Sequence, residues 1–138
     1  YEDFMKELKN RKLVLGKNIQ VLPYFYDMPK GLNIADLVIT SAGAITLSEI
    51  SAIGVPAILI PKAYTAENHQ EYNAVAFEKK GAAKVVLEKD LNGQKLNKTV
   101  NNLIRDKNTL KQMALNSKKM GNVNSAKKIV DIIDSIIL

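Results

Sequence analysis

The stretch LVITSAGAITLSEISAIGVPAILIP, residues 37–61, decides the fold. It opens with an uninterrupted apolar run rich in β-branched residues, which is typical of a parallel strand covered on both faces. A helix is predicted from about Ala44 to Ile53, with Gly54 as its C-cap and with Pro56 unable to continue it. A second buried strand follows at residues 56–61. Strand, helix and strand in this order indicate a βαβ unit and therefore a parallel sheet.

The rest of the chain extends this alternation in both directions. We predict a helix over residues 1–11, a strand within NIQVLPY at 18–24, and a loop or short helix at 26–36. A helix over 68–80 ends at Gly81, and a further strand covers 83–88. From Leu96 onward the apolar period is helical. The predicted fold is therefore one α/β domain, a Rossmann-like parallel sheet with helices on both faces and a helical C-terminus.

Composition excludes several classes of function. The chain of 138 residues has no Cys, which rules out disulfides and thiolate chemistry, and no apolar run approaches the roughly 20 residues of a membrane span. No signal peptide is recognisable. The first residue is Tyr1 rather than Met, which suggests a piece of a longer chain or a processed protein.

The net charge of +6 comes entirely from the C-terminal third of the chain. Residues 1–93 hold 11 basic and 11 acidic side chains, whereas residues 94–138 hold 9 and 3. An excess of basic residues in one segment is more often a solvated helix face than a surface for a membrane or a nucleic acid. The charge is confined to one end and is not interleaved with aromatic residues, which argues against nucleic-acid binding.

Ligands of parallel α/β sheets bind at the carboxyl ends of the strands, so the loops after the predicted strands are the candidate sites. In the loop after residues 37–40, Ser41 could cap the following helix and Gly43 would allow close approach to the backbone. The N–H groups of residues 43–46 would then face an anion such as a phosphate. Equally, the small residues could serve only to turn a strand into a helix.

Glu49 is the one carboxylate in this largely apolar helix. It lies about 60° from Thr46 around the helix axis, on the same edge as the proposed anion site. An unpaired carboxylate would be costly to bury, but it is tolerable in a cleft where it accepts hydrogen bonds from the two hydroxyls of a ribose. The alternative is a salt bridge to a Lys elsewhere in the fold.

The loop after residues 56–61 ends in ENHQEYNA, which supplies uncharged polar groups suited to sugar hydroxyls. Gln70 and Asn73 are three residues apart and share a helix face. His69 is the only His and has no cluster of acidic residues around it, so we predict no metal site. No Ser-His-Asp pattern is legible. The alternative role for this loop is helix capping, with Glu67 near the helix N-terminus.

Taken together, the motifs of residues 19–91 resemble the C-terminal half of the MurG family. They are YDMP, the Ser-x-Gly turn, a Glu six residues after the Gly, GVPAILIP and the HQ…NA helix. Members of this family transfer N-acetylglucosamine from UDP-GlcNAc to lipid I and so form lipid II in peptidoglycan synthesis. The resemblance implies a GT-B fold, in which two Rossmann-like domains face each other across a cleft and the C-terminal one binds UDP-GlcNAc.

The same resemblance assigns roles to individual residues. Glu49 would hold the ribose hydroxyls, and Gly43, Ala44, Ile45 and Thr46 would hold the diphosphate and the near edge of the sugar. Gln70 and Asn73 would reach the GlcNAc hydroxyls, and the backbone at Phe25 would read the uracil edge. Family members often carry Gln where this chain has His69, so the role of His69 as a donor contact is the least secure.

For the whole protein, the resemblance implies an inverting hexosyltransferase that needs no metal or cofactor. Residues 1–138 would be its truncated C-terminal domain, without the N-terminal acceptor domain and without a catalytic base, so that the fragment alone is inactive. The implied partners are UDP-GlcNAc and, through the other domain, lipid I. The implied location is peripheral, at the cytoplasmic face of the bacterial cell membrane.

Three alternatives remain open from the sequence. The chain could belong to another GT-B enzyme, such as a glycolipid glycosyltransferase or a nucleotide-sugar epimerase. It could be a stand-alone donor-binding subunit that docks a separate membrane-bound partner. A basic nucleic-acid-binding domain is the third and the least favoured.

Overall fold

The centre of the fold is a parallel sheet of three short strands. The computed structural model describes residues 1–64 and 68–137. Its strands are β1 (Val38–Thr40), β2 (Ala57–Leu59) and β3 (Ala83–Val85), in the spatial order β1-β2-β3. Ile58 stands opposite Ile39 on one side and Lys84 on the other. These strands fall inside the segments that the sequence predicts, and their parallel pairing is confirmed.

Helices form most of the remaining regular structure of the described chain. Their bounds are α1 (Glu2–Asn10), α2 (Met28–Ile34), α3 (Ala44–Ile53), α4 (His69–Lys79), α5 (Gly93–Arg105), α6 (Lys107–Met120) and α7 (Ser125–Ile137), with a short 3-10 turn at Glu88–Asp90. The predicted C-cap of α3 is confirmed, because Gly54 has a left-handed backbone with φ of +86° and donates its N–H to Ile50 O.

Apolar layers cover both faces of the sheet. Ala57 and Leu59 pack into a cluster with the buried side chains of α2, α3 and α4, whereas Ile58 packs with Leu103 of α5 and residues of α6 on the opposite face. This alternation follows from the period of two along a strand. The predicted arrangement of helices on both faces is thus confirmed.

The predicted strand at residues 18–24 is wrong. Within the described residues this segment forms no ladder with another strand, since the partner of β1 is β2. Its apolar side chains are also poorly covered: Ile19 and Leu22 are each about half exposed. A β-branched sequence becomes a strand only when a neighbouring backbone accepts its hydrogen bonds, so local propensity is insufficient here.

Side chains in the second half of α6 form hydrogen bonds to the C-terminal ends of α3 and α4. Asn116 Nδ2 donates to Gly81 O, just beyond α4, at 3.2 Å. Ser117 Oγ donates to Ile50 O, and Lys118 Nζ donates to Ala52 O, both in α3. Ala52 O is among the last carbonyls of α3, which lack N–H donors within the helix, so Lys118 satisfies it, whereas Ile50 O also accepts from Gly54 N–H. The position of α3, which carries most of the candidate site, is therefore fixed from its C-terminal end.

Helices α1 and α7 contribute no buried side chain to this core. Both are strongly amphipathic, and their apolar residues remain largely exposed. Among the helices of the described ranges, none is long and apolar enough to cross a membrane.

Candidate functional site

The N-terminus of α3 is open at the carboxyl edge of the sheet. Gly43 is the N-cap residue and supplies no side-chain hydrogen bond. The first bond inside the helix runs from Leu47 N–H to Gly43 O at 2.9 Å, so the N–H groups of Ala44, Ile45 and Thr46 have no acceptor within it. Our expectation that Ser41 caps this helix is wrong, since Ser41 lies two residues before the N-cap position from which a side chain can reach these groups.

The space above Gly43 is empty of other parts of the described chain. A β-carbon built on Gly43 would meet no heavy atom within 4 Å. Its backbone angles, φ −68° and ψ 142°, are open to any residue. Neither strain nor internal packing therefore explains a glycine at this position. The geometry leaves room for an external group to approach the backbone.

Glu49 is exposed, although its helix is largely apolar. Only Leu47, Ile50 and Ser51 of α3 are buried, because the helix lies against the sheet along one face. In residues 1–64 and 68–137, Glu49 forms no ion pair and no hydrogen bond, so the alternative salt bridge to a Lys is absent there. The carboxylate is available to a ligand.

A groove lies between α2 and α3, and the loop that contains Phe25 leads into α2. Its volume is about 180 Å³, and Glu49 lines it together with Pro29 of α2 and three apolar side chains. The loop is held at the start of α2, where Asp27 Oδ1 accepts from Lys30 N–H at 3.2 Å. The Phe25 ring covers Gly31 so closely that a β-carbon there would lie 2.4 Å from the ring edge. Glu49 therefore lines the groove itself, whereas Phe25 lies in the loop that leads into α2 and is not among the lining residues.

Gln70 and Asn73 lie on α4, and both face the loop after β1. Gln70 Oε1 accepts from Ala42 N–H at 3.3 Å and from Lys62 N–H at 3.1 Å. Asn73 Nδ2 donates to Ala42 O at 3.2 Å. No pattern in the sequence indicates this connection, because Ala42 has no polar side chain and its backbone groups make the contact.

His69 is exposed at the first position of α4. Glu67, the predicted capping residue, lies outside the described residues. Asn68 is the N-cap of α4 and makes no side-chain capping bond. The structure thus brings residues 43–46, Gln70 and Asn73 together around the end of β1, while Glu49 lines the groove between α2 and α3 and Phe25 lies in the loop before α2.

The groups that the structure places at this site are suited to binding. No group of three or more metal-ligating side chains occurs in the parts of the chain that the structure describes. Neutral amides, open backbone N–H groups and one exposed carboxylate can bind an anion and hydroxyl groups.

A larger pocket lies elsewhere, at the amino ends of the strands. It has a volume of about 380 Å³ and is lined by residues that include Asp36, Pro56, Lys107 and Lys111. Size favours this pocket, but parallel sheets bind ligands at their carboxyl ends, and the open helix N-terminus is there. We therefore place the candidate site at the carboxyl ends of β1 and β2.

A parallel α/β sheet with an open helix start at this edge defines a nucleotide-binding type of domain. Residues 1–132 match the glycosyltransferase family 28 C-terminal domain, and the chain belongs to this family. The fold class and the glycosyltransferase resemblance predicted from the sequence are thereby confirmed.

The chain is similar to bacterial proteins that share one name. The chain is 53% identical over 115 residues to the UDP-N-acetylglucosamine--N-acetylmuramyl-(pentapeptide) pyrophosphoryl-undecaprenol N-acetylglucosamine transferase of Finegoldia magna, covering 83% of this chain and 31% of that protein. It is 46% identical over 136 residues to the protein of the same name from Acetivibrio thermocellus, covering 99% and 36%. The chain thus spans about a third of the length of these relatives.

Solved structures agree with this assignment. The crystal structure of MurG from Acinetobacter baumannii superposes with a TM-score of 0.78 at 32% identity, over 85% of this chain and 33% of that one. The glycosyltransferase VinC in complex with dTDP has a TM-score of 0.69 at 23% identity, over 82% of this chain and 27% of the other, which is a similarity of fold.

Proposed function

We propose that this chain is the donor-binding part of an enzyme that transfers N-acetylglucosamine from UDP-GlcNAc to lipid I and so forms lipid II. The names of the relatives at 53% and 46% identity support the donor and the acceptor. An acceptor built on undecaprenol is a membrane lipid, so the whole protein would meet its acceptor at a membrane, and we place it peripherally at the cytoplasmic face. Acceptor binding and the catalytic base would come from residues outside this chain.

The observation that carries the proposal is the uncapped start of α3. The N–H groups of Ala44, Ile45 and Thr46 have no intrahelical acceptor, and Gly43 leaves the approach open. A helix N-terminus carries about half a positive charge, which suits a diphosphate. During transfer the diphosphate leaves with added negative charge, and fixed dipoles at this point would stabilise that charge without reorganising.

The nucleoside would lie beside α3, over the groove between α2 and α3. Glu49 is exposed and has no partner within residues 1–64 and 68–137, so it can accept hydrogen bonds from both ribose hydroxyls. The backbone at Phe25 would bind the uracil edge from the loop before α2. Gln70 and Asn73 would face the sugar from α4, and His69 would lie at the edge of the sugar site.

Calorimetric titration of the chain with UDP-GlcNAc, UDP and thymidine diphosphate tests this proposal. We expect uridine-selective binding that weakens by about tenfold or more in Glu49→Ala, since a hydrogen bond to a charged group contributes roughly 1.5–3 kcal/mol. Glu2→Ala, an exposed carboxylate removed from α1, is the matched control and should bind as the unaltered chain does. Equal affinity in Glu49→Ala would contradict the ribose role, and the absence of any nucleotide binding would contradict the donor site.

A further inference from the structure

Two side-chain amides of α4 hold the peptide groups on both sides of Ala42. Gln70 Oε1 accepts a hydrogen bond from Ala42 N–H at 3.3 Å, and Asn73 Nδ2 donates one to the Ala42 carbonyl at 3.2 Å. Ala42 is fully buried, and the peptide that contains its carbonyl also contains the N–H of Gly43. The contacts therefore act on the peptide that leads directly into the N-cap of α3.

The orientation of each amide is determined by these contacts. Gln70 Oε1 faces two backbone donors, Ala42 N–H and Lys62 N–H, so a flipped amide would set its NH2 group against both. Asn73 faces a carbonyl, which only its NH2 group can satisfy. Consequently Gln70 keeps its Nε2 donor and Asn73 keeps its Oδ1 acceptor, and neither atom has a hydrogen-bond partner among residues 1–64 and 68–137.

We infer that Gln70 and Asn73 are positioning residues that aim the N–H groups at the start of α3 and couple that anion site to sugar binding. The inference rests on the proposed function. Each amide has one polar atom on the loop and one left for the ligand. Gln70 offers a donor and Asn73 an acceptor, a pair that one sugar hydroxyl can satisfy because it both accepts and donates.

Preorganisation is the physical reason for such an arrangement. Backbone dipoles stabilise a charge best when they are already aligned and need no rearrangement as the charge develops. The loop after β1 has no capping side chain of its own, and Gly43 adds conformational freedom. Gln70 also binds Lys62 N–H, so the same side chain fixes the loop after β2.

Two isosteric substitutions separate the inward and the outward contacts. Gln70→Glu keeps an oxygen for the two backbone donors but removes the outward donor. Asn73→Asp keeps an outward acceptor but sets a carboxylate oxygen against the Ala42 carbonyl. Because each variant adds one negative charge on the same helix, charge alone predicts the same effect in both, and Gln94→Glu on α5 controls for added charge elsewhere.

The first measurement uses the ligand-free chain, so it does not depend on the proposed function. Amide hydrogen exchange of Ala42 should rise about tenfold in Gln70→Ala, which loses the acceptor, and should return to its original rate in Gln70→Glu. In Asn73→Asp the amide resonances of residues 43–46 should shift, whereas Gln94→Glu should leave them in place. Unaltered exchange at Ala42 in Gln70→Ala would overturn the positioning role, whatever the chain binds.

The second measurement is titration of the same variants with UDP and UDP-GlcNAc. We expect Asn73→Asp to weaken both ligands by roughly tenfold, because the anion site itself is disturbed. Gln70→Glu should instead reduce the preference for UDP-GlcNAc over UDP. If both variants weaken both ligands equally, the coupling is wrong. If neither the variants nor the unaltered chain bind UDP or UDP-GlcNAc, the proposed function fails. The exchange measurement still decides the positioning role of the amides.

Discussion

Glu78 Oε1 accepts a hydrogen bond from Val85 N–H at 3.0 Å, which ties α4 to the outer edge of β3. The same oxygen lies 3.0 Å from Lys84 Nζ. The edge strand thus has a side chain where a further strand would otherwise satisfy its N–H. Partial burial raises the pKa of Glu78, but the Val85 hydrogen bond and the Lys84 ammonium outweigh it, so the pKa is lowered overall.

The lowered pKa of Glu78 predicts a pH-dependent contribution to stability. A folded-state pKa below the unfolded value, which is about 4.3 for Glu, means that the contribution is present above that value. It is lost as the pH falls through the folded pKa. Glu78→Gln keeps an oxygen for Val85 N–H but does not titrate. We expect the unfolding free energy of the unaltered chain to fall relative to Glu78→Gln below about pH 4.5.

Urea unfolding of both proteins at several pH values between 7 and 3 measures this effect. The comparison cancels the titration of the other carboxylates, including Asp106, whose pKa is also lowered by its hydrogen bonds with Thr109 at the start of α6. Parallel stability curves for the two proteins would show that the Glu78 charge contributes nothing to the folded state.

Gly121 and Ser51 provide a second prediction, for the contact between the end of α6 and α3. A β-carbon at position 121 would lie 2.5 Å from the Ser51 carbonyl oxygen, a backbone atom that cannot rotate away. Gly121→Ala should therefore destabilise the chain by about 1–3 kcal/mol, as other overpacked contacts do. In Gly93→Ala the new methyl group would meet nothing within 4 Å, so this variant is the control and should be neutral or slightly stabilising. Equal unfolding midpoints for both variants would mean that the two helices can separate at little cost.

The sequence predicted the strands that consist of consecutive, mostly apolar residues. The runs at residues 37–40 and 56–61 form β1 at one edge of the sheet and β2 at its centre. Ile39 of β1 is 45% exposed, whereas β2 is buried throughout. Residues 18–24 have a similar composition but lack a paired neighbour, which no local pattern can reveal. The sequence predicted Glu49 on a largely apolar helix, facing a cleft, and the structure shows it exposed, because α3 lies on the sheet along one face and leaves that edge in solvent.

The roles of Gln70 and Asn73 show a different limit of the sequence. Their type and spacing predict a polar helix face, and the structure confirms that they share one. Their partner is the backbone of Ala42, which is 28 and 31 residues away and has no polar side chain to mark it. Contacts to backbone groups depend on how the chain folds, so they become visible only when the loop after β1 is seen beside α4.

Helix α7 should be dispensable for the stability of the rest of the chain. None of its side chains is buried. Its exposed apolar residues are Ile129, Val130, Ile132, Ile133, Ile136 and Ile137. Removing residues 123–138 should therefore change the unfolding free energy by less than about 0.5 kcal/mol, as for surface changes in general.

Self-association should change when α7 is removed. An uncovered apolar helix face favours contacts between molecules, so the intact chain should associate as its concentration rises while the shortened chain stays monomeric. Sedimentation velocity across a concentration series measures this difference. Ile129→Lys combined with Ile136→Lys in the full chain should reproduce the monomer. A shortened chain that unfolds more easily would show that α7 packs on the core in solution.

Gly43→Ala separates folding from ligand binding at the start of α3. The added methyl group meets no heavy atom within 4 Å, and φ of −68° is ordinary for Ala. Alanine is a poorer N-cap than glycine but restricts the unfolded chain, so the net change in unfolding free energy should stay within about 0.5 kcal/mol. The methyl group would stand where the proposed diphosphate approaches the backbone, so the affinity for UDP should fall by roughly tenfold.

Thermal unfolding and UDP titration on one sample compare the two effects, with Gly93→Ala as the control for adding a methyl group in open space. Unchanged UDP affinity in Gly43→Ala would place the diphosphate away from this glycine, whereas a large loss of stability would mean that the loop after β1 does not tolerate a side chain even without ligand.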